Sequence, residues 1–259
     1  MTQNPFPVRL YAADVTALER DVLYDRAYAA VSEERRQKTD RFRFGSDRRL
    51  SLGAELLLRC GLNELGIGSA SPAIGYTKEG KPFLSAYPDI HVNISHSGTY
   101  AICAVSSAPV GCDIELHKDD VLSVAERFFY ADEYISILGQ PTPDAQKKQF
   151  FRFWTLKESF MKATGLGMKL PLNQFRISIQ GEDISVQESV DANHWYFKEY
   201  TVDDGYACSV CSLTPCFEKD VRMRSIEDIL YAEDTQYGPG DSADGQAVTN
   251  TRRIQQNPL

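Results

Sequence analysis

The apolar positions change their spacing several times along the chain, and each change predicts a different element. Val8 to Asp14 reads as a short strand, after which Leu18 to Ala30 and Glu33 to Phe42 carry helix-favouring residues, with Ser32 placed to cap the second helix. Leu52, Leu56 and Arg59 or Cys60 recur at helical spacing, with Leu52, Leu56 and Leu57 as an apolar face, and predict a longer amphipathic helix from Asp47 to Leu62, basic at its start and with Gly61 beside its end. From Ile74 the texture becomes short apolar runs divided by turn residues. Ile74 to Tyr76, His91 to Ile94, Tyr100 to Val105 and Val110 to Glu115 read as strands, with Lys78-Glu-Gly-Lys-Pro82 as a turn. Helical spacing returns at Val121 to Phe129 and Ala131 to Leu138. After the loop Gly139 to Pro143 it runs on over a long helix from Asp144 to Ala163. Phe175 to Ile179, Ile184 to Gln187, His194 to Glu199 and Tyr206 to Leu213 read as strands again.

This order predicts two α+β lobes meeting around Ala108 to Gly111, one over 1–109 and one over 110–237. The stretch 238–259, rich in Gly, Asp, Ser, Asn and Gln, is expected to be disordered. The chain has 259 residues, 42% of them hydrophobic, enough for one large core or two modest ones. Its 28 Lys and Arg against 36 Asp and Glu give a net charge of −8, which disfavours nucleic acid and anionic membranes as partners. An anion site must therefore be local. No basic segment leads into an apolar one at the start, and no apolar run approaches the roughly 18 residues that span a bilayer, so a soluble cytoplasmic protein is expected. The six cysteines are dispersed and expected to be reduced. Cys208-x-x-Cys211 lies in a predicted strand, where positions three apart face opposite sides, which argues against a zinc or redox pair.

Four constellations could carry chemistry. In Gly111-Cys-Asp113-Ile-Glu115 two carboxylates share one strand face, which suits a hard divalent cation, although taken alone the motif more often marks a solvated strand end, since acidic residues usually lie exposed. Glu158 and Lys162 lie four apart on the long helix and share a face, as a third metal-ligating acid with a phosphate-neutralising lysine, or only as a surface ion pair. The neighbouring Phe153, Trp154, Phe160 and Met161 are expected to pack as core. Asn93-Ile-Ser95-His96-Ser97-Gly98 gathers a histidine and hydroxyls at a strand end, suited to phosphate. Arg35, Arg36, Lys38, Arg41, Arg43, Arg48 and Arg49 concentrate positive charge, for phosphate, for an acidic partner, or as a solvated helix face.

In combination, Gly80-Lys-Pro82, Asn93-Ile-Ser-His-Ser97, Gly111-Cys-Asp-Ile-Glu115 and Trp154-Thr-Leu-Lys-Glu-Ser159 resemble the 4′-phosphopantetheinyl transferase superfamily, in its longer single-chain, surfactin-synthetase-activator branch. The resemblance runs from about Ser32 through Leu213. It implies a pseudo-dimer of two similar α+β lobes with coenzyme A in the cleft between them. It implies Asp113, Glu115 and Glu158 as Mg²⁺ ligands; Arg49, Lys81, Ser95 and His96 on the adenosine 3′-phosphate; and Arg35 and Lys38 as further basic contacts. Lys157 and Lys162 match lysines near the pyrophosphate, with Lys162 the better placed of the two by the same-face argument.

The activity implied is attack by a serine of an apo acyl- or peptidyl-carrier protein on the phosphate bearing pantetheine, with release of adenosine 3′,5′-bisphosphate. Glu158 and Lys162 would be the catalytic groups, and the base is either Glu158 or a metal-held water. The enzyme would act as a monomer, in fatty-acid, polyketide or non-ribosomal-peptide synthesis. Cys112, where the family usually has an aliphatic residue, and Leu50, in place of a small polar residue, depart from the pattern without removing a metal or phosphate group. Cys112 is expected to point away from the acids as a small buried hydrophobe. Two rival readings stay open: a non-catalytic module binding coenzyme A or a carrier protein, and an Mg²⁺-dependent phosphoesterase.

Overall fold

The computed structural model describes residues 5–67, 74–78, 81–119, 121–187 and 193–236. The stretch 238–259 and Gly80 lie outside these. The first half runs from strand β1 (Arg9–Asp14) through helices α1 (Asp21–Ala30), α2 (Glu33–Asp40) and α3 (Gly45–Asn63). A short hairpin, β2 (Ile74–Tyr76) and β3 (Pro82–Leu84), follows, and then strands β4 (His91–Ser97) and β5 (Tyr100–Ser106). The second half repeats that order. Strand β6 (Val110–Leu116) leads to helices α4 (Leu122–Phe128), α5 (Ala131–Leu138) and α6 (Pro143–Thr164), the hairpin β7 (Arg176–Gln180) and β8 (Asp183–Gln187), and strands β9 (Tyr196–Glu199) and β10 (Tyr206–Ser212). The sheets repeat it too: β1-β5-β4 in one and β6-β10-β9 in the other, all antiparallel. The α+β class holds, and the repeated topology agrees with the expected pair of similar lobes.

Alternation along the strands stacks the halves. Tyr11 and Ala13 of β1 and Ala101, Cys103 and Val105 of β5 pack toward α3, while Leu10, Ala12, Ile102 and Ala104 turn the other way. There they meet Val110, Cys112 and Ile114 of β6 and Cys208 and Val210 of β10, so two sheets share one apolar layer. On the far side of the second sheet, Phe153, Phe160 and Met161 of α6 belong to a cluster with Phe175, Trp195 and Cys211. Cys208 and Cys211 thus lie in different clusters, as their spacing predicts. Cys112 is fully buried, and burial pushes its thiol up to about 12.

One boundary needs correction. Residues after Phe217, expected in the second lobe, return to the first: Phe217 bridges to Val8, and strand β11 (Arg222–Met223) pairs with β1 in parallel. Helix α7 (Ile226–Gln236) places Ile226, Ile229 and Leu230 in the cluster around α3. Arg222 and Arg224 both pair with Glu64, which also accepts from the Tyr11 hydroxyl, so charge pairing fastens this segment to the first lobe.

Candidate active site

Two elements of the second lobe carry the acids. On β6, Asp113 and Glu115 alternate with the apolar Cys112 and Ile114, which puts both carboxylates on the side of Gly111 and α6. Helix α6 is well bounded. The Thr142 hydroxyl accepts the Ala145 amide at 3.1 Å, Pro143 opens the first turn, and Gly165 closes the helix at φ 76°. Gly111 lets this helix lie on β6 backbone to backbone, since a Cβ there would fall 2.1 Å from the Ser159 carbonyl and 2.3 Å from the Ala163 amide nitrogen. That approach brings Lys162 Nζ to 2.6 Å from Asp113 Oδ1 and 3.0 Å from Ser95 Oγ.

Asp113 is almost fully buried, and its Oδ1 also accepts from Ser95 Oγ at 2.8 Å. Its Oδ2 is buried with no hydrogen-bond partner in the protein. Burial raises the carboxyl pKa of Glu158, and the charges of Asp113 and Glu115 raise it further against the pull of Lys162. Glu115 is raised by burial and by Asp113, with a hydrogen bond from Ser97 opposing. Burial works against the Lys162 ammonium, but the charge and hydrogen bond of Asp113, together with neighbouring negative charge including Glu158, outweigh it and raise its pKa.

These residues line one cavity of about 470 Å³ between the lobes. The first lobe contributes Arg35, Lys38, Ile94, Ser95 and His96; the second contributes Asp113, Glu115, Trp154, Glu158 and Lys162. Desolvation in the cleft, then the charges of Lys162 and Lys38, lowers the His96 pKa, although much of the side chain is exposed. Lys38 is lowered by burial and by Arg35. Arg35 is held from behind: its Nε lies 3.0 Å from Glu55 Oε2, and Glu55 also accepts the amide and hydroxyl of Ser32. Glu55 escaped the sequence reading because it sits in the apolar helix α3, where an acid surrounded by leucines was the available signal.

The structure does not bring every expected residue to the cleft. Lys157 is fully buried, with Nζ 2.9 Å from Glu133 Oε1 and 2.8 Å from the Leu172 and Phe175 carbonyls. One residue along a helix is about 100° of rotation, so Lys157 must leave the face that Glu158 occupies. Arg49 pairs with Glu19 at 3.1 Å and does not line the cleft. Lys81 faces a separate groove that shares Pro82 with the cleft, and its Nζ donates to the Ala163 carbonyl at 2.6 Å. Trp154, expected to be core, lines the cleft while its ring stacks on Phe150 at 5.7 Å.

Among the described residues, no three His, Cys, Asp or Glu side chains stand close enough to hold a metal ion. Asp113, Glu115 and Glu158 line the same cleft, and the Lys162 ammonium lies 2.6 Å from Asp113 Oδ1. In chemistry the set nevertheless fits a hard divalent cation: three carboxylates with their charges coupled, one oxygen of which is buried and unpartnered.

The sequence profile of the 4′-phosphopantetheinyl transferase superfamily matches residues 109–211, and that of the N-terminal region of 4′-phosphopantetheinyl transferases matches 20–108. The 4′-phosphopantetheinyl transferase Sfp of Bacillus subtilis is 36% identical over 208 residues, which cover 80% of this chain and 92% of that protein. The chain belongs to the 4′-phosphopantetheinyl transferase superfamily. Within it, similar proteins include gsp of Aneurinibacillus migulanus, 37% identical over 71% of this chain and 76% of its own, and HetI of a Nostoc species, 33% identical over 70% and 78%. The join between the two profiles, at 108/109, falls between β5 and β6, where the acidic strand begins.

Proposed function

We propose that this transferase moves the 4′-phosphopantetheine arm of coenzyme A onto a serine hydroxyl of an apo acyl- or peptidyl-carrier protein, releasing adenosine 3′,5′-bisphosphate. The observation that carries the reading is the cleft itself, where Asp113, Glu115 and Glu158, with Lys162 beside them, face Lys38, Arg35 and His96 across a lobe junction in a chain of this family. Such a step needs positioning and charge neutralisation more than covalent help from the protein. Arg35, backed by Glu55, and Lys38 supply cations for the cofactor's phosphates, and His96 supplies a hydrogen-bond donor. Lys162 keeps its proton and stabilises charge on the pyrophosphate. Glu158, which lines the cleft beside Lys162, is the acceptor for the serine proton, directly or through a metal-held water.

Mg²⁺ is assigned to Asp113, Glu115 and Glu158, and when bound it would neutralise pyrophosphate charge. The unpartnered Asp113 Oδ2 supports this assignment. The enzyme is read as a cytoplasmic monomer without nucleic-acid or membrane partners; its net charge of −8 supports that reading, and among the described residues no helix is long and apolar enough to cross a membrane. The working division is 1–109 with the returning segment after Phe217, against 110–216.

Intact mass spectrometry of an apo carrier protein incubated with this chain, coenzyme A and Mg²⁺ tests the function. One added phosphopantetheine, abolished by EDTA or by Asp113→Ala, is the expected result. Coenzyme A bound without transfer to any carrier class would favour a binding module, and hydrolysed coenzyme A a phosphoesterase. Glu158→Gln should abolish turnover while metal binding persists; unchanged turnover would remove Glu158 as the base.

A further inference from the structure

The lobes are joined at two edge strands, and an edge strand carries backbone amides that no neighbouring strand satisfies. Strand β4 ends one sheet and β6 ends the other. Side chains at alternate positions of β4 close the joint. Asn93 Oδ1 accepts the Cys112 amide at 2.8 Å, Ser95 Oγ donates to Asp113 Oδ1 at 2.8 Å, and Ser97 Oγ accepts the Leu116 amide at 3.1 Å. Ser97 Oγ also lies 2.7 Å from Glu115 Oε2. All three side chains are buried, and a ladder of side chains stands where two ordinary strands would exchange backbone bonds.

Ser97 has a part that the other two lack. A hydroxyl has one proton to give. With the Leu116 amide donating to its oxygen, that proton is committed to Glu115, so one group fixes both the backbone of β6 and the carboxylate beside it. Asn93 secures the same joint but touches no carboxylate, and Ser95 is shared between Asp113 and Lys162.

We propose that Ser97 is a positioning residue for the transfer: its hydroxyl, clamped by the Leu116 amide, holds Glu115 by Oε2 and leaves Oε1 as the oxygen offered to the metal. This rests on the metal assignment made above. Hydrogen bonds to metal-ligating carboxylates typically change affinity or activity 10–100-fold when removed.

The test is Mn²⁺ binding, followed by the electron paramagnetic resonance of the free ion, on the wild type, Ser97→Ala, Ser97→Thr and Asn93→Ala. Ser97→Ala should weaken Mn²⁺ about tenfold or more and raise by a similar factor the Mg²⁺ needed for half-maximal turnover, with the carrier KM unchanged. Ser97→Thr, which keeps the hydroxyl, should restore most of the affinity. Asn93→Ala should lower the Tm but leave Mn²⁺ binding near wild type. If Ser97→Ala binds Mn²⁺ as the wild type does, or if Asn93→Ala weakens it equally, Ser97 is only part of the joint and the inference falls. Should Ser97→Ala not fold, Ser97→Val against Ser97→Thr repeats the comparison at matched volume. A wild type that binds no Mn²⁺ would overturn the metal assignment and, with it, this inference.

Discussion

At Gly111 the absence of a side chain sets how close α6 lies to β6, and that distance decides whether Lys162 reaches Asp113. Gly111→Ala would drive a Cβ into the Ser159 carbonyl and the Ala163 amide, both backbone atoms of a helix that cannot give way locally. The expected outcome is a helix displaced from the strand, loss of the Lys162–Asp113 contact, a Tm lowered by several degrees and turnover lost. Thermal denaturation beside the mass assay checks both effects, and an active Gly111→Ala enzyme would show that the close approach is dispensable. Lys81 poses a different question, because burial lowers its ammonium to about 8. The unfolded lysine titrates near its ordinary value of 10.5. Below pH 8 both states are protonated and the folded state bears the full cost of the buried charge. Between about 8 and 10.5 the folded protein releases the proton first, so this group makes stability rise with pH. Lys81→Met should remove that slope, measured as unfolding free energy across pH 7 to 10.

Among the elements, the strands and helices with strong periodicity were legible. Helix α5 falls where its residues predict it, and α6, β5, β6 and β10 differ from expectation by one residue at one or both ends. Strand β4, expected to end at Ile94, runs to Ser97 and turns only at Gly98, φ 59°. A side chain on Gly98 would strike the Tyr206 hydroxyl, a tertiary constraint that local pattern does not carry. That early stop hid the alternation of Asn93, Ser95 and Ser97. Helix α7 had a signal, Ile226, Ile229 and Leu230 at helical spacing, whereas β11 is two residues long and owes its pairing to β1. Of the candidate site, the sequence singled out the acids, Lys162, Arg35 and Lys38, all of which line one cleft. Which lysine of Lys157 and Lys162 faces the cleft was decided by helical rotation. Lys157→Met should destabilise the protein by ~3–5 kcal/mol, since it strands the Glu133 carboxylate in a dry interior. Adding Glu133→Gln should recover part of that loss in denaturant unfolding; additive losses would mean that the two side chains act independently.

On the scale of the whole molecule, an acidic protein must receive an acidic substrate and an acidic partner. The net charge of −8 repels both at a distance, so attraction has to come from a local patch large enough to be felt within a Debye length of about 8 Å at physiological salt. The stretch from Arg35 to Arg49 provides one, but its members divide. Arg35 is buried against Glu55, Lys38 lines the cleft, Arg36 is tied to Glu33, and Arg49 is tied to Glu19. Arg41 and Arg43 are exposed, and the Arg43 guanidinium lies over the exposed ring of Phe44, 5.4 Å from its centroid. Arg41 and Arg43 do not line the cleft, so their charge can steer a carrier protein without touching coenzyme A. Reversing both, Arg41→Glu with Arg43→Glu, should therefore raise the carrier KM several-fold at low salt, leave the coenzyme A KM unchanged, and lose most of its effect as ionic strength rises. An unchanged carrier KM would move the docking surface elsewhere, whereas a matching rise in the coenzyme A KM would place these arginines in the cofactor's field rather than the carrier's.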